Sequence, residues 1–124
     1  MDFDAMISAH TQWKTRFRKL VDNPGERLDA GTVEKDDQCE LGKWLYQEGS
    51  RHKQMREYSE LQAAHARFHL AAAEVIRTMN MGASAKAKEM LDPLTGGFGR
   101  AASDCVNAIV ALRNQVQSPQ THGR

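Results

Sequence analysis

Two histidines, His65 and His69, interrupt an otherwise apolar run four residues apart. On a helix that spacing puts both imidazoles on one face, one turn apart, where they can chelate one metal ion. The competing reading is a pair of core histidines bonded to backbone carbonyls, which requires a buried partner for each ring. His10 sits on another apolar stripe, between Ile7 and Trp13. A lone core histidine is ordinarily structural, but three imidazoles in one small core shift the balance toward metal. Cys39 opens the short apolar run Leu41, Trp44, Leu45. With Asp37 as helix cap and Glu40 completing a capping box, Cys39 falls at the second helical position, where the helix dipole favours a thiolate. A thiolate is a zinc ligand and also the form that oxidants attack. The competing reading, a small buried hydrophobe, suits Cys105 better than Cys39, because Cys105 has no nearby histidine in sequence. His52, in a solvated stretch, and His122, in the polar tail, carry no such pattern. Three nitrogens and a sulfur suit tetrahedral Zn²⁺, with Cu or Co as chemical alternatives. Two cysteines are too few for an iron–sulfur cluster.

These residues need helices to position them. Phe3, Met6, Ile7, His10, Trp13, Phe17, Leu20 and Val21 recur at spacings of three and four, one face of a helix that Asp2 or Asp4 could cap. Asp22-Asn23-Pro24-Gly25 stops it. Residues 22–36 form a long polar connection, with a turn of helix expected around Gly25 to Ala30 and with Leu28 and Val33 as its apolar pins. A short helix runs from Asp37 to Gln47 and stops at Gly49. The longest helix runs from about Arg56 to Met81, with Tyr58, Leu61, His65, Phe68, His69, Ala72, Val75, Ile76 and Met79 on one stripe. The last starts at a Ser84 cap and carries Leu91, Leu94, Phe98, Ala102, Cys105, Ile109, Leu112 and Val116. Pro93 and the run Gly96-Gly97-Phe98-Gly99 mark a kink or break in it. Strand patterns are missing. The expected fold is therefore all-α: an antiparallel four-helix bundle with one short helix and a long first connection, over residues 1–116, followed by a disordered tail, 117–124.

Composition bounds the function. The chain has 124 residues, enough for one domain. Hydrophobic residues at 40% allow a core, and a net charge of +1 gives no basic excess for nucleic acid. Mean hydropathy is −0.64, and no apolar run nears the ~20 residues that cross a bilayer. The acidic N-terminus is unlike a signal peptide. The expected compartment is the cytoplasm, where two cysteines are thiols or metal ligands rather than a disulfide.

The segments His10-Thr11-Gln12-Trp13, Cys39-Glu40-Leu41-Gly42-Lys43-Trp44-Leu45 and His65-Ala66-Arg67-Phe68-His69 read H-x-x-W, C-x-L-G-K-W-L and H-x-x-F-H in order. The chain in this respect closely resembles the chemoreceptor zinc-binding (CZB) domain family, over about residues 3–116. The resemblance implies that His10, Cys39, His65 and His69 are the four ligands of one Zn²⁺. It implies a bacterial cytoplasmic sensor domain whose inputs are zinc and, in some members, oxidation of the zinc-bound cysteine, here Cys39. It implies a homodimer and an output partner, a chemoreceptor or a diguanylate cyclase. No methyl-accepting coiled coil or cyclase follows in this sequence, which therefore reads as a free-standing form or a fragment. Trp13, Trp44 and Phe68 are the expected walls of the site. Gly42, costly inside a helix by about 1 kcal/mol, implies a close approach there.

An enzyme is not expected. A catalytic zinc keeps an open position and a nearby base, whereas four protein ligands close the shell and no Glu stands beside the His pair. The alternatives carried forward are a purely structural zinc in an interaction module and, behind it, a zinc hydrolase. Di-iron sites need Glu-x-x-His pairs that are missing here. Haem stays open at this point.

Overall fold

The computed structural model describes residues 1–23 and 28–117. Among them all regular structure is helical: α1 (Phe3–Asp22), α2 (Ala30–Val33), α3 (Glu40–Tyr46), a 3-10 segment (Glu48–His52), α4 (Arg56–Asn80), α5 (Ser84–Met90) and α6 (Gly97–Gln117). The long helix α6 packs along both α4 and α1, α2 docks on α4, and α5 contacts α1 and α4.

The helix ends follow local chemistry. Asp2, rather than Asp4, caps α1, its carboxylate accepting the Ala5 N–H at 3.0 Å. Asp4 instead receives Arg113 of α6 at 2.8 Å, tying the start of one long helix to the end of another. Helix α4 has neither Gly nor Pro in its 25 residues. It ends in a Schellman arrangement: Gly82 N–H donates to Met79 O at 2.9 Å and Ala83 N–H to Thr78 O at 3.1 Å. That geometry needs the positive φ of 80° that Gly82 supplies.

The last segment is two helices, not one. After α5 the Asp92 carboxylate accepts the N–H groups of Leu94 (2.8 Å) and Thr95 (3.0 Å), closing a turn that the helix cannot cross. The turn folds back so tightly that a Cβ on Gly99 would lie 2.1 Å from Asp92 O. Two expectations are corrected here. Leu94 belongs to this turn and is 83% exposed rather than on the core stripe. Ser84 is the first residue of α5 rather than its cap, and Ala83 in the cap position makes no side-chain bond. In the first connection a helical turn spans Ala30–Val33, capped by Asp29 through Gly31 N–H at 3.0 Å. Residues 24–27 of the turn expected around Gly25 to Ala30 lie outside the described residues, as do 118–124 of the tail. Gln117 ends α6.

One core joins these elements. Phe17, Phe68 and Phe98 stack edge-on or tilted at 5.0 and 5.3 Å between centroids, linking α1, α4 and α6. Leu41 and Leu45 insert α3 into the same core, and Leu28 and Val33 pack against its edge. Tyr58 donates its hydroxyl hydrogen to Leu45 O, fixing the end of α3 to the start of α4. Three imidazoles, His10, His65 and His69, are buried inside this apolar mass.

Candidate metal centre

Helix α1 carries His10, α4 carries His65 and His69, and the residue before α3 is Cys39. One potential ligand atom from each of the four lies within 4.8 Å of every other. Cys39 Sγ is 3.2 Å from His65 Nε2 and 3.5 Å from His69 Nε2, and the two Nε2 atoms are 3.0 Å apart. A tetrahedral zinc with ordinary Zn–N and Zn–S lengths needs edges of about 3.3 Å between nitrogens and about 3.6 Å from nitrogen to sulfur. The cluster is already at that scale.

Hydrogen bonds on the far side of the rings aim the near side. His10 Nδ1 lies 2.8 Å from Met6 O, and His69 Nδ1 lies 2.8 Å from Val33 O. A carbonyl only accepts, so in each ring Nδ1 carries the proton and Nε2 keeps its lone pair. His65 is fully buried, and its Nδ1 has no partner among the described residues. Burial, then the neighbouring His69 and His10, lowers the His65 pKa to about 3. Burial also lowers His10 and His69 from their ordinary values. His10 and His69 thus keep Nε2 lone pairs, and His65 Nε2 lies 3.0 Å from that of His69, so three neutral imidazoles converge in a buried space as a donor set for a cation.

Cys39 requires a correction. It is itself the N-cap of α3: its Sγ accepts Gly42 N–H at 3.4 Å, while the Asp37 carboxylate accepts from the Gln38 side chain at 3.1 Å. The physical reason lies in Gly42. A Cβ there would fall 1.7 Å from Asp36 O, so the 36–39 backbone folds under the first turn of α3 and brings Sγ, not the Asp37 carboxylate, to the free amides. This is the close approach that Gly42 implied. The expected thiolate is corrected too. Burial pushes the Cys39 thiol up, only partly offset by the Gly42 and Leu41 amides, and the Asp36 carboxylate pushes the same way. A bound cation, rather than the helix end, must generate the thiolate.

The Phe68 ring lies edge-on to His10 at 4.9 Å and to His69 at 5.4 Å. The ring partners of Trp13 are Phe17 and the Arg16 guanidinium, and those of Trp44 are Phe3 and His52. Cys105 is buried on α6, and burial raises its thiol to about 12, the inert form. The groups that sequence reasoning missed are the carbonyls of Met6 and Val33, which every residue type carries alike, and Asp36, whose side chain receives the Tyr46 hydroxyl at 2.9 Å.

Among known families, the model of the chemoreceptor zinc-binding domain, CZB, matches residues 10–76, a span that contains all four converging residues. The chain belongs to the CZB family. No curated protein and no solved structure matches it. The cofactor of this CZB domain is Zn²⁺, and the chemistry of the donor set fits it: a borderline-soft ion, three imidazole nitrogens and one sulfur. Among the described residues no helix is long and apolar enough to cross a membrane.

Proposed function

We propose that this CZB domain is a regulatory zinc sensor in which His10, Cys39, His65 and His69 hold one Zn²⁺ and changes at Cys39 are the signal. The observation that supports this reading most directly is the double role of Cys39. The same sulfur faces His65 and His69 and caps α3 through Gly42 N–H. Bound zinc would supply the positive charge that holds Cys39 as a thiolate. Hypochlorite or peroxide attacks that sulfur, forming an S–O bond as chloride or hydroxide leaves. The resulting sulfenic acid has lost the negative charge that favoured the metal. Helix α3 then loses its tie to α1 and α4 and weakens at its cap in one event. The N-terminal end of this seven-residue helix is then what moves, while Leu45 in the core and the Tyr58 bond to Leu45 O hold its far end.

The domain comprises residues 1–116, with α1, α3, α4 and α6 read as an antiparallel four-helix bundle around the site. It is not read as an enzyme: among the described residues no carboxylate joins the converging group. The output passes to a partner in the cytoplasm: a second copy of this chain, a chemoreceptor or a diguanylate cyclase. Sedimentation at tens of micromolar, an order-of-magnitude choice for a specific interface, should give a dimer, and a monomer would remove the homodimer from this reading.

The main test combines stoichiometry with oxidation. Protein purified without added metal should contain one zinc per chain. Titration with hypochlorite should release that zinc to a chromogenic chelator in step with oxidation of Cys39, located by mass spectrometry. Oxidation of Cys39 without zinc release, or of Cys105 first, would leave a structural zinc. Iron as the main metal would overturn the site itself.

A further inference from the structure

Residues 28–39 reach the metal centre as a strap laid along α4. Going along the strap, Leu28 O accepts from Asn80 Nδ2 at 3.4 Å, Val33 O accepts from His69 Nδ1 at 2.8 Å, the Glu34 carboxylate pairs with Arg77, and Cys39 Sγ meets His65 Nε2 at 3.2 Å. Val33 and Glu34 thus reach α4 at two points eight residues apart, between the partners of the strap's two ends at residues 80 and 65. Helix α2, at the centre of the strap, is a single turn of four residues with none fully buried. One turn of helix does not persist on its own backbone bonds, so its place is set by what it is tied to. Its last carbonyl, Val33 O, carries the negative end of the turn and is the group that fixes the tautomer and the aim of His69. The next residue, Glu34, caps the turn, its own N–H donating to Ala30 O at 2.9 Å.

We propose that Glu34 and Arg77 are positioning residues for the zinc site: their ion pair clamps the end of α2 to α4 and so keeps the Val33 carbonyl aimed at His69. Arg77 lies one residue beyond the span that the CZB family model matches. It stands eight residues after His69 on α4, about 12 Å along the axis, a gap that a long arginine side chain leaning toward the helix N-terminus and a glutamate together cover. As an exposed pair it adds little to global stability. Its effect falls instead on the metal, through the orientation of one ligand. Losing a direct partner of a metal-bound histidine weakens affinity about 10- to 100-fold, and a clamp one step further out costs less, about 3- to 10-fold.

The proposal rests on the four-ligand reading above, and charge supplies a sharp test of it. If Arg77 and Glu34 acted on the cation only through their charges, Arg77→Gln would tighten zinc binding and Glu34→Gln would weaken it. A clamp predicts that both weaken it, that the double variant is no worse than either single one, and that exchanging the pair, Glu34→Arg with Arg77→Glu, restores most of the loss. Zn²⁺ affinity is measured by competition with a chromogenic chelator on the full chain, with thermal melting of the metal-free proteins beside it. The visible spectrum of the Co²⁺-loaded protein reads the ligand geometry directly, and its bands should broaden in both single variants. Glu74→Gln, which removes the other partner of Arg77 at 3.4 Å, should change neither affinity nor spectrum. Tighter or unchanged binding in Arg77→Gln, while His69→Ala loses zinc, overturns the clamp and leaves the ligands standing. Full zinc binding by His69→Ala overturns the ligand reading on which the clamp depends.

Discussion

Alanine at His65 or His69 should abolish tight zinc binding, and alanine at Cys105 should not. A structural zinc site of four ligands is worth about 10–16 kcal/mol at neutral pH, so one ligand carries roughly 3–4 kcal/mol, a loss of about 10²- to 10³-fold. Each histidine contributes an Nε2 within 3.0–3.5 Å of two other ligand atoms, so either loss opens the shell. Cys105 is a core residue of α6 with its thiol protonated, and removing its sulfur costs core packing, of order 1 kcal/mol, without touching the metal. Chelator competition on the three variants, with circular dichroism to confirm folding, checks this. A Cys105→Ala protein that loses zinc while Cys39→Ala keeps it would reverse the assignment of the two thiols.

The metal-free protein should be markedly acid-sensitive. Once unfolded, His65 titrates near 6.5; in the fold it titrates at about 3, chiefly because it is buried. Above pH 6.5 neither state binds the proton and His65 contributes nothing to the pH dependence. Below it the unfolded chain takes up a proton that the native chain refuses, so stability falls as pH falls, by about 1.4 kcal/mol per unit, until about pH 3. From pH 7 to pH 5 His65 alone removes about 2 kcal/mol, and His10 and His69, also lowered by burial, add to the loss. Against a typical total of about 5–15 kcal/mol this is a large fraction. Urea unfolding in the presence of a chelator at pH 7 and pH 5 measures it. His65→Ala should recover about 2 kcal/mol of the difference, and zinc should suppress the effect because a bound imidazole stays neutral. A metal-free protein equally stable at both pH values would show that water reaches these rings.

The histidine spacing and the three motif segments carried the family and the candidate ligands, because an i,i+4 pair is a property of helix geometry and needs no tertiary information. The same periodicity located α1 and α4 to within a residue or two and led to an all-helical chain. Hydrophobic spacing could not see Leu94 leave the core, since the turn that removes it depends on the Asp92 carboxylate reaching two amides. Nor could it see Cys39 displace Asp37 as a cap. Both residues occupy reasonable cap positions, and the choice between them is made by the 36–39 backbone packing against Gly42. The sequence by itself thus determined which residues can bind a metal and which helices carry them. Only the tertiary structure decided their state: the depth of burial that keeps the imidazoles neutral, the carbonyls of Met6 and Val33 that aim two of them, and the strap along α4 that brings a thiol to the histidines. Those depend on contacts between segments far apart in the chain, through backbone atoms that are the same in every residue.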